Sequence, residues 1–480
     1  MAEPSSPNFN ALVWALLPVV LTAGILMYVL FGLNGGPHIP LLLGCAITAF
    51  IGVLRGVSWH AVQTAMIRNI AESLPVLGIF MLVGMTISSW IASGTVPFLT
   101  AQGIKLISPD WFLPATCLLC ALVSVFTGTS WGTVGTLGLA LMGMADVLGI
   151  SLALCAGAIV SGAWFGDKMS PLSDTTNFTA AIARVDLYTH IRNMIPSTLP
   201  AMCIALILYY WLGPDSASNP VDNTSLTALS TSLEAHFDLA WWVLIPPGVI
   251  ALTIYFRLPA IPGLFFGVMA ACLVAVVGQG VSPESLVQLL MNGFQSQTGQ
   301  VGLDALLSKG GLMSMMWVIS LIILAMALGG ALQATGSLET LLQALLNVAS
   351  TRFRLVLVTL LAALGFNFAS NAFIAYTLPG RMLLPAFHQR GLSGANLSRL
   401  LEDGATMSAP LIPWNSGGVY VAGTLGIPTI LYAPFAFANW LAPLFDLLWA
   451  ALNWFMPTRN EKQDKMMSDN ALLRKQDAGT

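Results

Sequence analysis

The residues best suited to chemistry in this chain are oxygen ligands set into apolar surroundings. Thr129 and Ser130 interrupt an apolar run in Phe126-Thr127-Gly128-Thr129-Ser130-Trp131-Gly132-Thr133. Asp167, Ser170, Ser173, Asp174, Thr175 and Asn177 follow in Gly166-Asp167-Lys168-Met169-Ser170-Pro171-Leu172-Ser173-Asp174-Thr175-Thr176-Asn177. A second pair of interruptions comes later. Asn367, Ser370 and Asn371 lie in the first of these, and Glu402, Asp403, Ser408 and Asn415 in the second, which runs to Ser416. Hydroxyl, amide and carboxylate oxygens with free backbone carbonyls suit a hard cation such as Na+. Helix N-termini exposed at such breaks suit a carboxylate instead.

Carboxylates inside a membrane are costly and mark function. Asp174 lies in the densest break and is the leading group to hold Na+ and a proton in turn. A Na+ site is expected at Asp174, Thr129, Ser130, Ser173 and Asn177, supported by Asn371, Ser408 and Asn415. Asp167 beside Lys168 reads equally as a structural ion pair. Glu402 and Asp403 read either as site residues or as helix caps at an aqueous rim. Asp146 and Asp446 read as lipid-interface residues near run ends.

The surroundings that must position these groups follow from composition. The 480 residues include 18 Lys+Arg and 21 Asp+Glu, or 8% charged, with 56% hydrophobic. Soluble proteins carry roughly 25% charged residues. The last 24 residues hold 9 of those charges. So few charges exclude a soluble enzyme and a disordered or fibrous chain. At ~20 residues per spanning helix, the length allows about ten to twelve crossings. Continuous apolar runs without alternation predict helices, not a barrel. The expected fold is an all-α polytopic membrane protein with two inverted repeats and broken or re-entrant helices.

Several functions are excluded or disfavoured. No basic surface for nucleic acid exists, no Walker loop supports ATP-driven pumping, and no nucleophile–base set suggests an enzyme. Five histidines lack ligand spacing, and the six cysteines lie in apolar stretches and read as small buried hydrophobes. No cofactor is expected beyond Na+ and H+ as transported ions. The N-terminal apolar run to Leu33 is too long for a cleavable signal. The lipid bilayer is the implied partner. A second copy of the chain and a small organic solute are further candidate partners.

Positive residues orient the chain. Arg459, Lys462, Lys465, Arg474 and Lys475 predict a cytoplasmic tail. Residues 213–238 contain no Lys or Arg and are expected outside. The expected division is 1–59 for N-terminal spans, 60–212 for a first repeat and 213–238 for an external connection. Residues 239–300 form linking spans, 301–456 a second repeat and 457–480 the tail. Residues 60–72 are expected to lie along the interface. Trp111, Tyr209, Tyr210, Trp211, Trp241 and Trp242 are expected to form an interfacial belt.

The Met-Ser-Pro-Leu of residues 169–172 recurs with one insertion at 407–411, which pairs the halves about 238 to 241 positions apart. Opposite predicted directions make the repeat inverted. Paired breaks in inverted repeats are the pattern of secondary transporters, with sites near the midplane. A channel can also be oxygen-lined, but paired breaks suit alternating access better than a continuous pore.

With these residues in view, the chain resembles the NhaC family of Na+/H+ antiporters over about residues 70–430. The resemblance rests on Gly128 to Thr133, on Gly166 to Asn177, and on Glu402-Asp403 through Pro410-Leu411-Ile412-Pro413-Trp414-Asn415; Pro379-Gly380-Arg381-Met382 also looks like a family element. It implies a secondary transporter of the bacterial cytoplasmic membrane that exchanges Na+ for H+. Family members often carry an acidic residue and Gln where this chain has Asn371-Ala372. That departure leaves room for the alternative, coupled transport of a small organic carboxylate or amino acid, since the resemblance extends to malate/lactate exchange.

Overall fold

The computed structural model describes residues 8–33, 35–106, 109–216, 231–256, 258, 260–297, 304, 307–369 and 372–459. Ser370, Asn371, most of the 213–238 connection and nearly all of the tail lie outside the described residues. The first part of the chain forms α1 (Phe9–Met27), α2 (His38–Leu54), α3 (Trp59–Ala92), α4 (Thr95–Leu106) and α5 (Pro109–Thr127). After a break come α6 (Ser130–Thr133), a π-helical turn (Val134–Gly138) and α7 (Leu139–Val147). Then follow α8 (Leu152–Met169), α9 (Asp174–Ile182) and α10 (Leu187–Ser216). The linking region holds α11 (Ile245–Tyr255), α12 (Ala260–Val277) and α13 (Pro283–Asn292). The rest forms α14 (Met316–Ala334), α15 (Ser337–Val348), α16 (Arg352–Ala369), α17 (Ala372–Gln389) and α18 (Gly394–Leu401). A second π-helical turn (Glu402–Thr406) leads to α19 (Ser416–Leu425), α20 (Thr429–Tyr432) and α21 (Phe437–Leu452).

The chain is an all-α, multi-pass membrane protein. Among the described residues, five helices are long and apolar enough to cross a bilayer, and five more apolar helices have 10–17 residues. Ser416–Leu425 and Thr429–Phe435 form a further pair bent by 92°. Side chains such as Leu122, Trp211, Phe265 and Leu273 are exposed on the outer surface. Such apolar exposure is stable against lipid and costly in water.

The repeat is visible in the element boundaries. Thr95–Leu106 and Ser337–Val348 are 242 positions apart at both ends. The α6–α7 segment, 130–147, matches α17, 372–389, at the same spacing. So do the starts of α8 and α18, of α9 and α19, and of α10 and α20. The repeat distance is therefore 242, not the 238 to 241 expected from the Met-Ser-Pro-Leu match. In the structural register Pro171 corresponds to Pro413, so the shared Met-Ser-Pro-Leu misleads by a few positions. The corresponding helices α3 and α14 pack together.

Close packing of α5 on α8 depends on small residues. A Cβ at Gly162 would strike the Cys117 carbonyl, and one at Gly166 would strike Ala121. Ser124 Oγ donates to the Ala163 carbonyl at 2.6 Å and fixes the pair. Small residues and hydroxyl bonds are how helices associate without water to drive them together.

Three expectations need correction. Residues 60–72 belong to one continuous helix, Trp59–Ala92, and are not a separate interfacial segment. Asn69 on that helix bonds Gln333 at 3.4 Å, which holds the segment against α14. Tyr209 is fully buried and donates to the Phe435 carbonyl at 2.6 Å, so it belongs to the core and not to a belt. Cys203 is exposed, while the other five cysteines are buried.

Candidate functional site

The breaks are built by local rules. Gly128 has φ +68°, and a Cβ there would lie 2.7 Å from Leu172, so glycine alone fits this turn. Thr129 then caps α6 by accepting from the Gly132 amide at 3.2 Å. Pro171 follows the end of α8, and the chain restarts at Ser173, the N-cap position of α9. On the other side Asn415 caps α19 through the Gly417 amide at 3.1 Å.

These restarts converge on one cavity of about 600 Å³. Its wall carries the first residues of α6 (Ser130), α9 (Asp174, Thr175), α17 (Ala372, Phe373) and α19 (Ser416, Gly417). The four starts form two pairs, each 242 positions apart. The site is thus made where the two halves meet. The starts of α6, α9 and α19 leave amides without helical partners, and their partial positive charge favours nearby carboxylates. Trp131, also on the wall, stacks on Tyr420 with ring centroids 4.7 Å apart, and the Tyr420 hydroxyl donates to the Trp131 carbonyl.

Six expected residues reach the cavity: Thr129, Ser130, Asp167, Ser173, Asp174 and Thr175. They differ in setting. Asp174 is exposed, whereas Asp167 is only 6% exposed and accepts from Ser130 Oγ at 2.6 Å. Ser173 Oγ is 3.1 Å from Thr175 Oγ1. The cavity therefore offers one buried carboxylate with hydroxyls beside it, and a second carboxylate nearer its mouth.

The other expected residues bond elsewhere. Ser170 donates to the Val125 carbonyl at 2.7 Å and braces the break. Asn177 donates to the carbonyls of Pro171 at 2.9 Å and Ser173 at 2.8 Å. Asn367, Ser408 and Asn415 are knitted together: Asn367 Nδ2 reaches Ser408 Oγ at 2.9 Å, and Asn415 Nδ2 reaches the Asn367 carbonyl at 3.0 Å. None of these five is on the cavity wall. Asp403 is paired away from it.

The buried charges correct the sequence reading in several places. Lys168 forms its ion pair with Asp403, not with neighbouring Asp167, and Ser197 Oγ donates to Asp403 at 2.7 Å. Glu402 and Asp403 are fully buried and do not cap a helix at an aqueous rim. Asp446 is likewise fully buried, 2.8 Å from the Arg399 guanidinium, and is not a lipid-interface residue. His190 is fully buried between Thr179 at 3.2 Å and Ser398 at 2.8 Å.

Four buried carboxylates, Asp167, Glu402, Asp403 and Asp446, thus face two buried cations, Lys168 and Arg399. The cations are taken by Asp403 and Asp446. Among the described residues, Asp167 and Glu402 have no Lys or Arg within ion-pair distance. An uncompensated buried carboxylate must bind a cation or a proton. The sequence held no local signal for this outcome beyond the carboxylates themselves, because each partner lies on a different helix.

The chain is similar over most of its length to known transport proteins. Residues 162–454 match the Na+/H+ antiporter family. The Na(+)/H(+) antiporter NhaC of Alkalihalophilus pseudofirmus is 39% identical over 90% of this chain and 95% of its own length. The protein of that name in Bacillus subtilis is 32% identical, covering 88% and 94%. The malate-2H(+)/Na(+)-lactate antiporter of Bacillus subtilis is 31% identical, covering 94% and 98%.

Proposed function

The chain belongs to the Na+/H+ antiporter family, and we propose that it exchanges the two ions through buried carboxylates where its halves meet. It is a secondary transporter of Na+ and H+, a carrier and not an enzyme. The bacterial cytoplasmic membrane is its proposed location. Na+ would bind at Asp167, with Ser130, Ser173 and Thr129 beside it. Asp174, exposed at the same wall, would draw cations in from water.

The observation that carries this reading is the Asp167 carboxylate: buried, on the cavity wall, held by a neutral hydroxyl and without a basic partner. A carboxylate in that state is stable when neutralised, and either Na+ or H+ can do so. Opening the cavity to one side and then the other exchanges the two ions across the bilayer. Asn177, Asn367, Ser408 and Asn415 would shape the breaks and leave ion contact to the cavity residues. The test is reconstitution in proteoliposomes with a preset pH gradient. Added Na+ should collapse the gradient; a gradient indifferent to Na+ would refute the reading.

One observation favours a second reading. A cavity of about 600 Å³ far exceeds what one ion needs, since a single water occupies roughly 30 Å³. Cavities of this size suit small organic molecules. Among the described residues, two carboxylates and several aromatic rings line it, with no Lys, Arg or His. An organic solute bearing an ammonium group would fit that wall better than one bearing only carboxylates. Na+-dependent uptake of labelled amino acids, against dicarboxylates as comparison, tests it.

A further inference from the structure

Glu402 is the buried carboxylate that the Na+ site leaves unused. It lies in the π-helical turn Glu402–Thr406, a geometry frequent at functional sites. It is fully buried and does not line the cavity. Its Oε1 accepts from Thr179 Oγ1 at 2.9 Å, and its Oε2 accepts from Thr406 Oγ1. Thr406 Oγ1 lies 2.9 Å from the Tyr376 hydroxyl. Tyr376 and Thr406 both line the cavity. On the far side, Thr179 meets His190 Nε2 at 3.2 Å, and His190 Nδ1 meets Ser398 Oγ at 2.8 Å.

We propose that Glu402 carries the transported proton, and that Tyr376 and Thr406 pass it between this carboxylate and the cavity. The proposal rests on the exchange reading above and adds a separate place for the second ion. Both Glu402 oxygens are already occupied by hydroxyl donors, and the route to them is a line of hydroxyls. Na+ cannot travel such a line; a proton can, because each oxygen receives one proton and gives up another. A hydronium ion in the cavity gives a proton to the Tyr376 oxygen and leaves as water, the Tyr376 hydrogen moves to Thr406, and the Thr406 hydrogen moves to Glu402 Oε2. Every oxygen between ends as it began, and Glu402 becomes neutral. Return of the proton reverses the steps.

The neighbours explain the coupling. Lys168 and Asp167 on α8 act on the Glu402 charge. His190 faces it from α10 through Thr179, and Tyr376 faces it from α17 through Thr406. Asp403 is adjacent in the chain and already paired with Lys168, and Asp446 on α21 is held by Arg399. Asp167 and Glu402 are thus two buried like charges, so a cation on either lessens the repulsion felt by the other. Na+ at Asp167 removes the repulsion that a proton on Glu402 otherwise relieves, so Na+ entry favours proton departure.

The test compares two transport modes of the full-length protein in proteoliposomes. One is Na+-driven proton movement; the other is exchange of labelled Na+ for Na+ at equal pH. For Glu402→Gln, proton movement should fall about 100-fold, the scale of losing a positioned proton-transfer group. Na+/Na+ exchange should stay within about twofold of wild type, the Asp167 site being intact. Tyr376→Phe should slow proton movement about tenfold and spare Na+/Na+ exchange, since it removes only one step of the line. Unchanged proton movement in Glu402→Gln would overturn the proposal. So would loss of both modes in Glu402→Gln with proton movement normal in Tyr376→Phe, which would make Glu402 structural. If Glu402→Gln does not fold, Tyr376→Phe decides by the same proton readout. Failure of the exchange reading looks different: wild type would then show no Na+-driven proton movement at all.

Discussion

At the residue scale, ion exchange depends on which buried carboxylates are paired. Asp167→Asn should abolish Na+-driven proton movement. Asp174→Asn should keep it and raise the half-saturating Na+ concentration about three- to tenfold, because an exposed charge concentrates ions without holding them tightly. Rates measured against Na+ concentration separate the two, and equal effects would count against this assignment. Lys168→Met should leave Asp403 buried without its cation, at a cost of about 3–5 kcal/mol. Thermal unfolding in detergent should show that loss, and Lys168→Met combined with Asp403→Leu should recover most of it. The sequence marked Asp167, Ser130 and Ser173 because they crowd into polar breaks. The ion pair it offered as one reading of Asp167 and Lys168 does not form, because adjacent helix residues do not face each other. Lys168 instead reaches Asp403, 235 positions away. His190, Thr179 and Arg399 carried no signal, being single polar residues in ordinary helices whose partners only the fold supplies.

At the element scale, function depends on where helices stop and how closely they pack. The paired breaks were legible because Gly, Pro and polar residues interrupt apolar runs at Gly128 and Pro171. The register between halves was less legible, because a Met-Ser-Pro-Leu likeness outweighed helix ends that no composition marks. With Pro171 matched to Pro413, Asp167 corresponds to Ala409 and Lys168 to Pro410. The cavity is therefore symmetric in its helix starts and asymmetric in its charges. The α5–α8 contact gives a further expectation. Gly162→Leu should destabilise the protein by about 1–3 kcal/mol, the cost of overpacking a tight contact. Gly24→Ala, with nothing within 4 Å of the added Cβ, should be close to neutral. Unfolding midpoints of the two variants check the contrast, and equal midpoints would argue against close α5–α8 packing.

At the scale of the whole molecule, scarcity of charge made the membrane and the all-α class legible from composition. It also concentrated meaning in the few carboxylates that remain inside. The positive residues of the tail predict its side of the membrane. A fluorescent reporter fused at the C-terminus should be active in the cytoplasm, and alkaline phosphatase there should be inactive; the reverse would invert the orientation. The central claim, that Na+ binding at buried Asp167 where the halves meet is coupled to proton movement, is tested most directly by one measurement. It is the initial rate at which added Na+ collapses a preset pH gradient in proteoliposomes holding wild-type or Asp167→Asn protein at equal density. A Na+-dependent rate in wild type that is lost in Asp167→Asn is the predicted result. A wild-type rate retained by Asp167→Asn would contradict the account.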